Sequence, residues 1–364
     1  MTGMTAETAA ELVRRRSALR RSVIFAGIGL LVAVSIYSVG RGAVRIPVTS
    51  VLAILVKPLG FLSQVDVSEQ HEAVLLTIRL PRIVFAILTG AGLSASGVAM
   101  QGLFRNPLAD PSLIGVSSGA ALGATAIIVF MDSVGLTAGG TLGAFSLPAA
   151  AFVGGFVTTL VIYRLATREG RTSVSTMLLA GIAINALAQA VGGLMTFFAT
   201  DTALRNLTFW KLGSLGAATW TNVGLLAPLV LIPVCGFPLL SSRLNGFLLG
   251  EAEAHALGVP VEATKTLIVI LVSVAVGGTV AFTGLIAFVG LIVPHVLRLV
   301  GGPDHRFLFP ASAIYGATLM VVADCVARTV VIPAELPIGI LTAVFGAPVF
   351  LWLLTMLKRR EELD

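Results

Sequence analysis

Residues 248–260 read LLGEAEAHALGVP, a polar island between two apolar runs, NVGLLAPLVLIPVCGFPLL at 222–240 and ATKTLIVILVSVAVGGTVAFTG at 263–284. As helices, runs of this size are about 30 Å long, which is the thickness of the hydrocarbon core of a bilayer. The island can form about two helical turns at most. Gly250 opens it, Glu251 and Glu253 fall in its first turn where the helix dipole favours acids, and Gly258 and Pro260 end it. A short polar helix between two membrane spans is either a loose connector or a surface for a soluble partner.

Working outward, apolar runs recur along the whole chain. Ten are expected to be membrane helices: residues 22–40, 74–104, 112–131, 143–165, 174–200, 222–240, 263–284, 288–300, 307–330 and 337–358. The second is over-long and the eighth too short to span alone, as tilted and broken helices would be. The chain is 56% hydrophobic and 12% charged, about half the charge of a soluble domain, and the expected fold class is an all-α polytopic membrane protein. The 39 glycines suit closely packed membrane helices. Arg14, Arg15, Arg16, Arg20 and Arg21 ahead of an apolar run imitate a signal peptide. The run is long and no A-x-A-like site follows, so it reads as a retained first helix.

The net charge of +6 does not point to nucleic acid, because the basic residues cluster at helix ends. With ten crossings and both termini inside, sixteen of the 24 Lys and Arg fall on the cytoplasmic side and eight outside, which supports that orientation. Residues 248–260 then face the cytoplasm. Arg79 and Arg82 of RLPR, with Arg328, run against the rule; they either snorkel at the interface or form a basic rim for an acidic partner. Cys235 and Cys325 both lie in apolar runs, so neither a structural disulfide nor metal binding is expected.

Residues 90–124 and 277–317 echo each other. Each has a small-residue helix, a Pro-containing reversal and a second helix opening with small residues, which suggests duplicated four-helix units of inverted topology. In the first, Asn106-Pro107-Leu108-Ala109-Asp110-Pro111 forces a turn and caps a new helix, and Gly115, Gly119 and Gly123 follow as a stripe for close helix contact. Gly181, Asn185 and Gln189 share one helical face, where amides either glue helices together or line a polar route. Asp324 and Arg328, spaced i, i+4, can neutralise each other. His295 has no second ligand at metal-binding spacing, no G-x-x-x-x-G-K-[ST] loop is present, and no catalytic constellation stands out. The residues describe a conduit, with an ion-coupled secondary transporter as the alternative class.

NPLADPSLIGVSSGAALG at 106–123, GEAEAHALGV at 250–259, GLIAFVGLIVPHVLRLVGGPDHR at 284–306, ADCVAR at 323–328 and AELPIGILTAVFGAPVFLWLL at 334–354 together resemble the FecCD/BtuC-type permeases. These are membrane subunits of ABC importers for iron–siderophores, haem and cobalamin. The resemblance runs from about residue 79 to 358. It implies a ten-helix BtuC-like permease domain at 22–358, a coupling loop at about 243–262, and cytoplasmic tails at 1–21 and 359–364. It also implies a bacterial inner (cytoplasmic) membrane location with both termini cytoplasmic.

The implied partners are a second permease subunit, identical or homologous, two cytoplasmic ATPases that use ATP and Mg, and an extracytoplasmic substrate-binding protein. The implied cargo is a metal chelate, an iron–siderophore above haem or cobalamin, and the chain itself holds no cofactor. Residue by residue, the ATPase-coupling helix corresponds to Gly250, Glu251, Ala252, Glu253, Ala254, His255, Ala256, Leu257 and Gly258. Arg79, Arg82 and Arg328 match the contacts to the binding protein. The path-lining helix corresponds to Asn185 and Gln189, and the cytoplasmic gate to Ser173, Val174, Ser175 and Thr176. Val174 stands where the family pattern leads one to expect another small polar residue.

Overall fold

A helix forms over every one of the ten apolar runs in the computed structural model, which describes residues 6–42, 46–56, 68–130, 141–332 and 334–361. The outermost tail residues and the basic residues Arg45 and Lys57 lie outside that set. α1 (Ala6–Gly40) is followed by the short α2 (Val48–Val56). α3 (Glu69–Val74) passes through a π-helical turn, Leu75–Arg79, into α4 (Leu80–Leu103). A 3-10 turn (Pro111–Ile114) leads to α5 (Val116–Phe130), then come α6 (Thr141–Ala166), strands β1 (Thr167–Arg168) and β2 (Arg171–Thr172), and α7 (Val174–Phe197). The chain continues through α8 (Asp201–Leu212), α9 (Trp220–Gly236), a 3-10 turn (Phe237–Leu240), α10 (Ser241–Phe247) and α11 (Glu251–Ala256). It closes with α12 (Val261–Thr283), α13 (Val289–Gly301), α14 (His305–Thr329) and α15 (Ile338–Glu361). Among the described residues seven helices are long and apolar enough to cross a membrane, and α5, α13 and the apolar part of α15 are shorter.

The over-long second run is the continuous helix Glu69–Leu103, about 52 Å at 1.5 Å per residue. It is also the axis of the bundle. Of its most apolar window 83% is buried, against 17% for α1 and α7, so protein rather than lipid covers it. α4 packs on α9, α12, α13 and α14. Small residues let it do so: a Cβ on Gly97 would overlap the carbonyl of Gly290 in α13, and one on Gly90 would overlap Gly316 in α14. The stripe expected on α5 has the same use, with Gly119 and Gly123 set against Gly154 and Ala150 of α6.

The two four-helix units match in length order. α4 to α7 have 24, 15, 26 and 24 residues, and α12 to α15 have 23, 13, 25 and 24. Their opposite orientation follows from which end each starts at. α1 serves as the ruler. Arg20 pairs with Asp304 at 2.7 Å near one end, and Ser38 Oγ accepts from Arg328 at 2.8 Å near the other. Residues 20 and 38 are about 27 Å apart along a helix, close to the bilayer core thickness. α4 begins at the Arg328 end and reaches His305 beside Asp304 at Gly102, whereas α12 begins beside α11 at the Asp304 end. The two ends are called here the arginine end and the α11 end.

Candidate functional site: a path with two docking ends

At the α11 end, the island of the opening sequence is a six-residue helix, within the two turns expected. Gly250, at φ 124°, redirects the chain from α10 into it. Ala254 is buried, and its carbonyl accepts from Val259 N at 3.0 Å, so this residue points inward. Ala252, Glu253, His255, Ala256, Leu257 and Gly258 are exposed. Leu249 and Leu257, 65% and 67% exposed, flank them. Apolar side chains beside a charged helix, open to water on a rigid base, suit a protein contact. Glu251 alone turns back, its Oε2 accepting from Lys265 Nζ at 2.7 Å.

Close by, β1 and β2 form a hairpin pairing Thr167 with Thr172 and Arg168 with Arg171. Glu169 and Gly170 make its turn in left-handed conformations (φ 52° and 74°), the geometry of tight hairpins. The hairpin delivers Ser173, whose side chain caps α7 by accepting from Thr176 N at 3.2 Å, while Thr176 Oγ1 donates to Ser173 Oγ at 3.0 Å. Val174 is half-buried, and Ser175 and Thr176 are exposed.

Along α7 the two amides divide the alternatives left open by sequence. Asn185 is helix glue: Ser118 donates to its Oδ1, and its Nδ2 donates to the Ser112 carbonyl at 3.3 Å. It also lines a cavity of about 620 Å³ with Gln189, Gly192 and Gly193. A neighbouring cavity of about 650 Å³ shares Ser112, Ser117, Lys211 and Leu285 with it. The combined lining sets Asp110, Ser112, Ser117, Asn185 and Gln189 into a largely apolar wall that includes Leu285, Ile286, Phe288 and Leu291, and it has one lysine, from α8, whose sequence is too polar to register as a span. α7 also exposes Leu179, Ile182, Leu187, Leu194 and Phe197, and Ile182, seven residues from Gln189, shares its face.

At the arginine end, Arg79, Arg82 and Arg328 come together and are largely buried. Asp324 Oδ1 accepts from Arg82 Nε at 2.9 Å and its Oδ2 from Arg328 Nε at 2.9 Å, so the i, i+4 pair expected from sequence is present and a second arginine shares it. Arg82 also grips Glu335 with both terminal nitrogens, at 2.9 and 2.8 Å. Arg328 completes its contacts on Ser38 and the Arg41 carbonyl, and Arg79 donates to the Val39 carbonyl. The hydrogen bonds from Arg82 hold the Glu335 carboxyl below the usual carboxylate range, against its partial burial. Asn106 and Asp110 make the turn expected of them, Asn106 Oδ1 accepting from Leu108 N and Asp110 Oδ1 from Ser112 N, each at 2.9 Å. Among the described residues no group of His, Cys, Asp and Glu is placed to hold a metal.

The FecCD transport family matches residues 30–356. The chain is 45% identical over 288 residues to the hemin transport system permease protein HmuU of Yersinia pestis, covering 79% of this chain and 84% of that one. It is 40% identical over 293 residues to the cobalamin import system permease protein BtuC of Halobacterium salinarum, covering 80% and 76%. Among solved structures, a chain assigned to the metal-chelate type of ABC transporter, in an inward-facing conformation, superposes with a TM-score of 0.79. That match has 33% identity and covers 92% of this chain and 99% of the other.

Proposed function

This chain belongs to the FecCD transport family, and from that membership we propose how its parts divide the work of import and what it carries. It is the membrane-spanning permease subunit of a binding-protein-dependent ABC importer, and ATP is hydrolysed by separate ATPase chains. In our reading α11, with Leu249 and Leu257, is the surface the cytoplasmic ATPase grips, and ATP and Mg are used there rather than by this chain. Both termini then lie in the cytoplasm. The arginine end faces outward, where Arg79, Arg82 and Arg328 receive carboxylates of the substrate-binding protein. The face of α7 that carries Gln189 and the exposed Ile182 turns toward a second permease, so that the path with Asn185 and Gln189 runs between two subunits. Ser173, Val174, Ser175 and Thr176 close it on the cytoplasmic side.

ATP-driven closure of the ATPases moves α11 as a rigid lever and changes which side the path is open to. A cargo delivered by its own binding protein needs no tight site here, which fits a largely apolar wall with scattered hydroxyls and amides and few charges. The cargo is proposed to be an iron chelate. The single observation carrying that choice is the 45% identity to a hemin permease across four fifths of the chain, and it favours haem. An iron–siderophore, implied by the family resemblance, is the second reading.

The test reconstitutes the permease with its ATPase and binding protein in vesicles and supplies haem, a ferric siderophore or cobalamin. ATP-dependent uptake of an iron chelate is expected. Uptake of cobalamin alone would overturn the iron reading. Uptake driven by a proton gradient without ATP would overturn the importer mechanism.

A further inference from the structure

Lys265, on the second turn of α12, has a side chain 1% exposed, and its ammonium is shared by three elements. It donates to Glu251 Oε2 of α11 at 2.7 Å, to the Thr172 carbonyl of β2 at 2.7 Å, and to Glu262 Oε1 of its own helix at 3.2 Å. An ammonium has three protons, and all three are engaged. The other oxygen of Glu262 accepts from Thr172 N at 2.8 Å. Both backbone polar groups of Thr172 are therefore held by side chains from the start of α12. Its hydroxyl is held too, donating to the Tyr163 phenol at 3.2 Å.

The next residue is Ser173. Its N–H donates back to Ala166 at 3.0 Å and its side chain caps α7. No slack separates Thr172 from the first turn of α7, so a displacement of Thr172 displaces that turn. In sequence, residues 172 and 251 are far apart; in space one buried cation bonds both. Glu251 is also the acid of α11 that bonds inward, with its side chain 36% exposed, while Glu253 and His255 are exposed.

We propose that Lys265 is the positioning residue that carries movement of α11 to the gate at Ser173–Thr176, with Glu251 as its input contact and the Thr172 carbonyl as its output. This rests on the reading of α11 as the ATPase-gripped helix. Burial of the lysine makes the link stiff: its side chain is 1% exposed, so the ammonium meets little water on leaving a partner, although the side chains of Glu251 and Glu262 are each 36% exposed. An exposed pair would exchange its partners for water and transmit little.

The experiment uses the full complex in vesicles, with a dye on Ser175→Cys in a Cys235→Ser, Cys325→Ala background, and reads dye response to ATP beside ATP hydrolysis in the same sample. In Lys265→Met the ATP-induced dye response should fall at least fivefold while hydrolysis by the partner continues within about twofold of the parent. Lys265→Arg should restore at least half of the response. A merely structural lysine would lower assembled complex, and with it both signals in proportion. Should Lys265→Met fail to assemble, Glu251→Ala decides, because it removes one arm at a partly exposed residue; it should cut the dye response at least threefold. A full dye response in either variant overturns the proposal.

Leu257→Arg separates the two readings, since Leu257 is exposed and lies outside the Lys265 contacts. Loss of ATPase binding in Leu257→Arg with an unimpaired response in Lys265→Met refutes the lysine link alone. Retained ATPase binding and a full dye response in Leu257→Arg refutes the coupling role of α11, and the link with it.

Discussion

Replacing Asp324 by asparagine should destabilise the folded chain by about 3–5 kcal/mol, the usual cost of breaking a buried ion pair by removing one partner. The side chain of Asp324 is 1% exposed, and those of Arg82 and Arg328 are 11% and 9% exposed. One carboxylate neutralises two guanidinium groups, each through its Nε at 2.9 Å. At an effective dielectric near 20, a pair about 4 Å apart is attracted by about 4 kcal/mol, offset in part by desolvation. Arg82 would keep Glu335, but Arg328 would keep only neutral hydrogen-bond partners, Ser38 and the Arg41 carbonyl, with Glu335 acting on it through space. Glu335→Gln is the internal comparison: its side chain is 45% exposed, and such a pair contributes about 0–1 kcal/mol. Equilibrium unfolding in mixed micelles measures both. Asp324→Asn combined with Arg328→Met should recover part of the loss, with a coupling of about 1–3 kcal/mol, because the orphaned cation is gone. Equal losses for Asp324→Asn and Glu335→Gln, within about 0.5 kcal/mol, or strict additivity in the double variant, would refute this account.

How far the sequence could reach is set by the distance over which each physical signal acts. Apolar runs report the solvent around them, and all ten became helices. The bounds of α11 were readable because glycine, proline and first-turn acids act on their own backbone. The Asp324–Arg328 pair was readable because i, i+4 residues meet on any helix. Arg82 lies 242 residues from Asp324, and Glu335 253 from Arg82, so their joining the pair had no local signal. Lys265 shows nothing in the sequence beyond a charge near a helix start, for the same reason: its contacts on α11 and β2 are 14 and 93 residues away. The hairpin went unnoticed because two-residue strands have no periodicity, although Glu169-Gly170 is a turn signal that could have marked it. For Asn185, one helical face was consistent with glue or path lining; the positions of Ser118 and Ser112 show that it ties helices together, and it also borders a cavity.

The resident carboxylate at the arginine end should compete with the binding protein. Glu335→Gln is expected to tighten docking severalfold in a surface-binding assay and Arg82→Glu to weaken it tenfold or more, most at low salt; unchanged affinity in both would mean the arginines serve this chain alone. Gly97→Ala should destabilise by about 1–3 kcal/mol, because its Cβ would meet the backbone of Gly290, which cannot swing aside. Gly224→Ala on α9, with open space around its Cβ, should stabilise by about 0.5–1 kcal/mol; melting shifts of the same sign in both would undo the close-packing argument. The last expectation concerns acid. Asp304 lies between spans, where burial favours its neutral form but bonds from Asn245 and Arg306 N, with Arg20, hold its pKa below the usual range. Because the folded value lies under the unfolded one of about 3.9, this carboxylate stabilises the fold at any pH above that, and the contribution fades as pH falls through the folded value. Asp304→Asn can keep the cap on Arg306 N while losing the charge paired with Arg20, so the variant should be about 1 kcal/mol less stable at pH 7. The gap to the parent should close between pH 4 and lower values in about the range where the carboxylate protonates. A gap that stays constant from pH 7 downward would show that Asp304 acts through its shape and hydrogen bonds, and that the Arg20 pair does not hold α1 to the loop before α14.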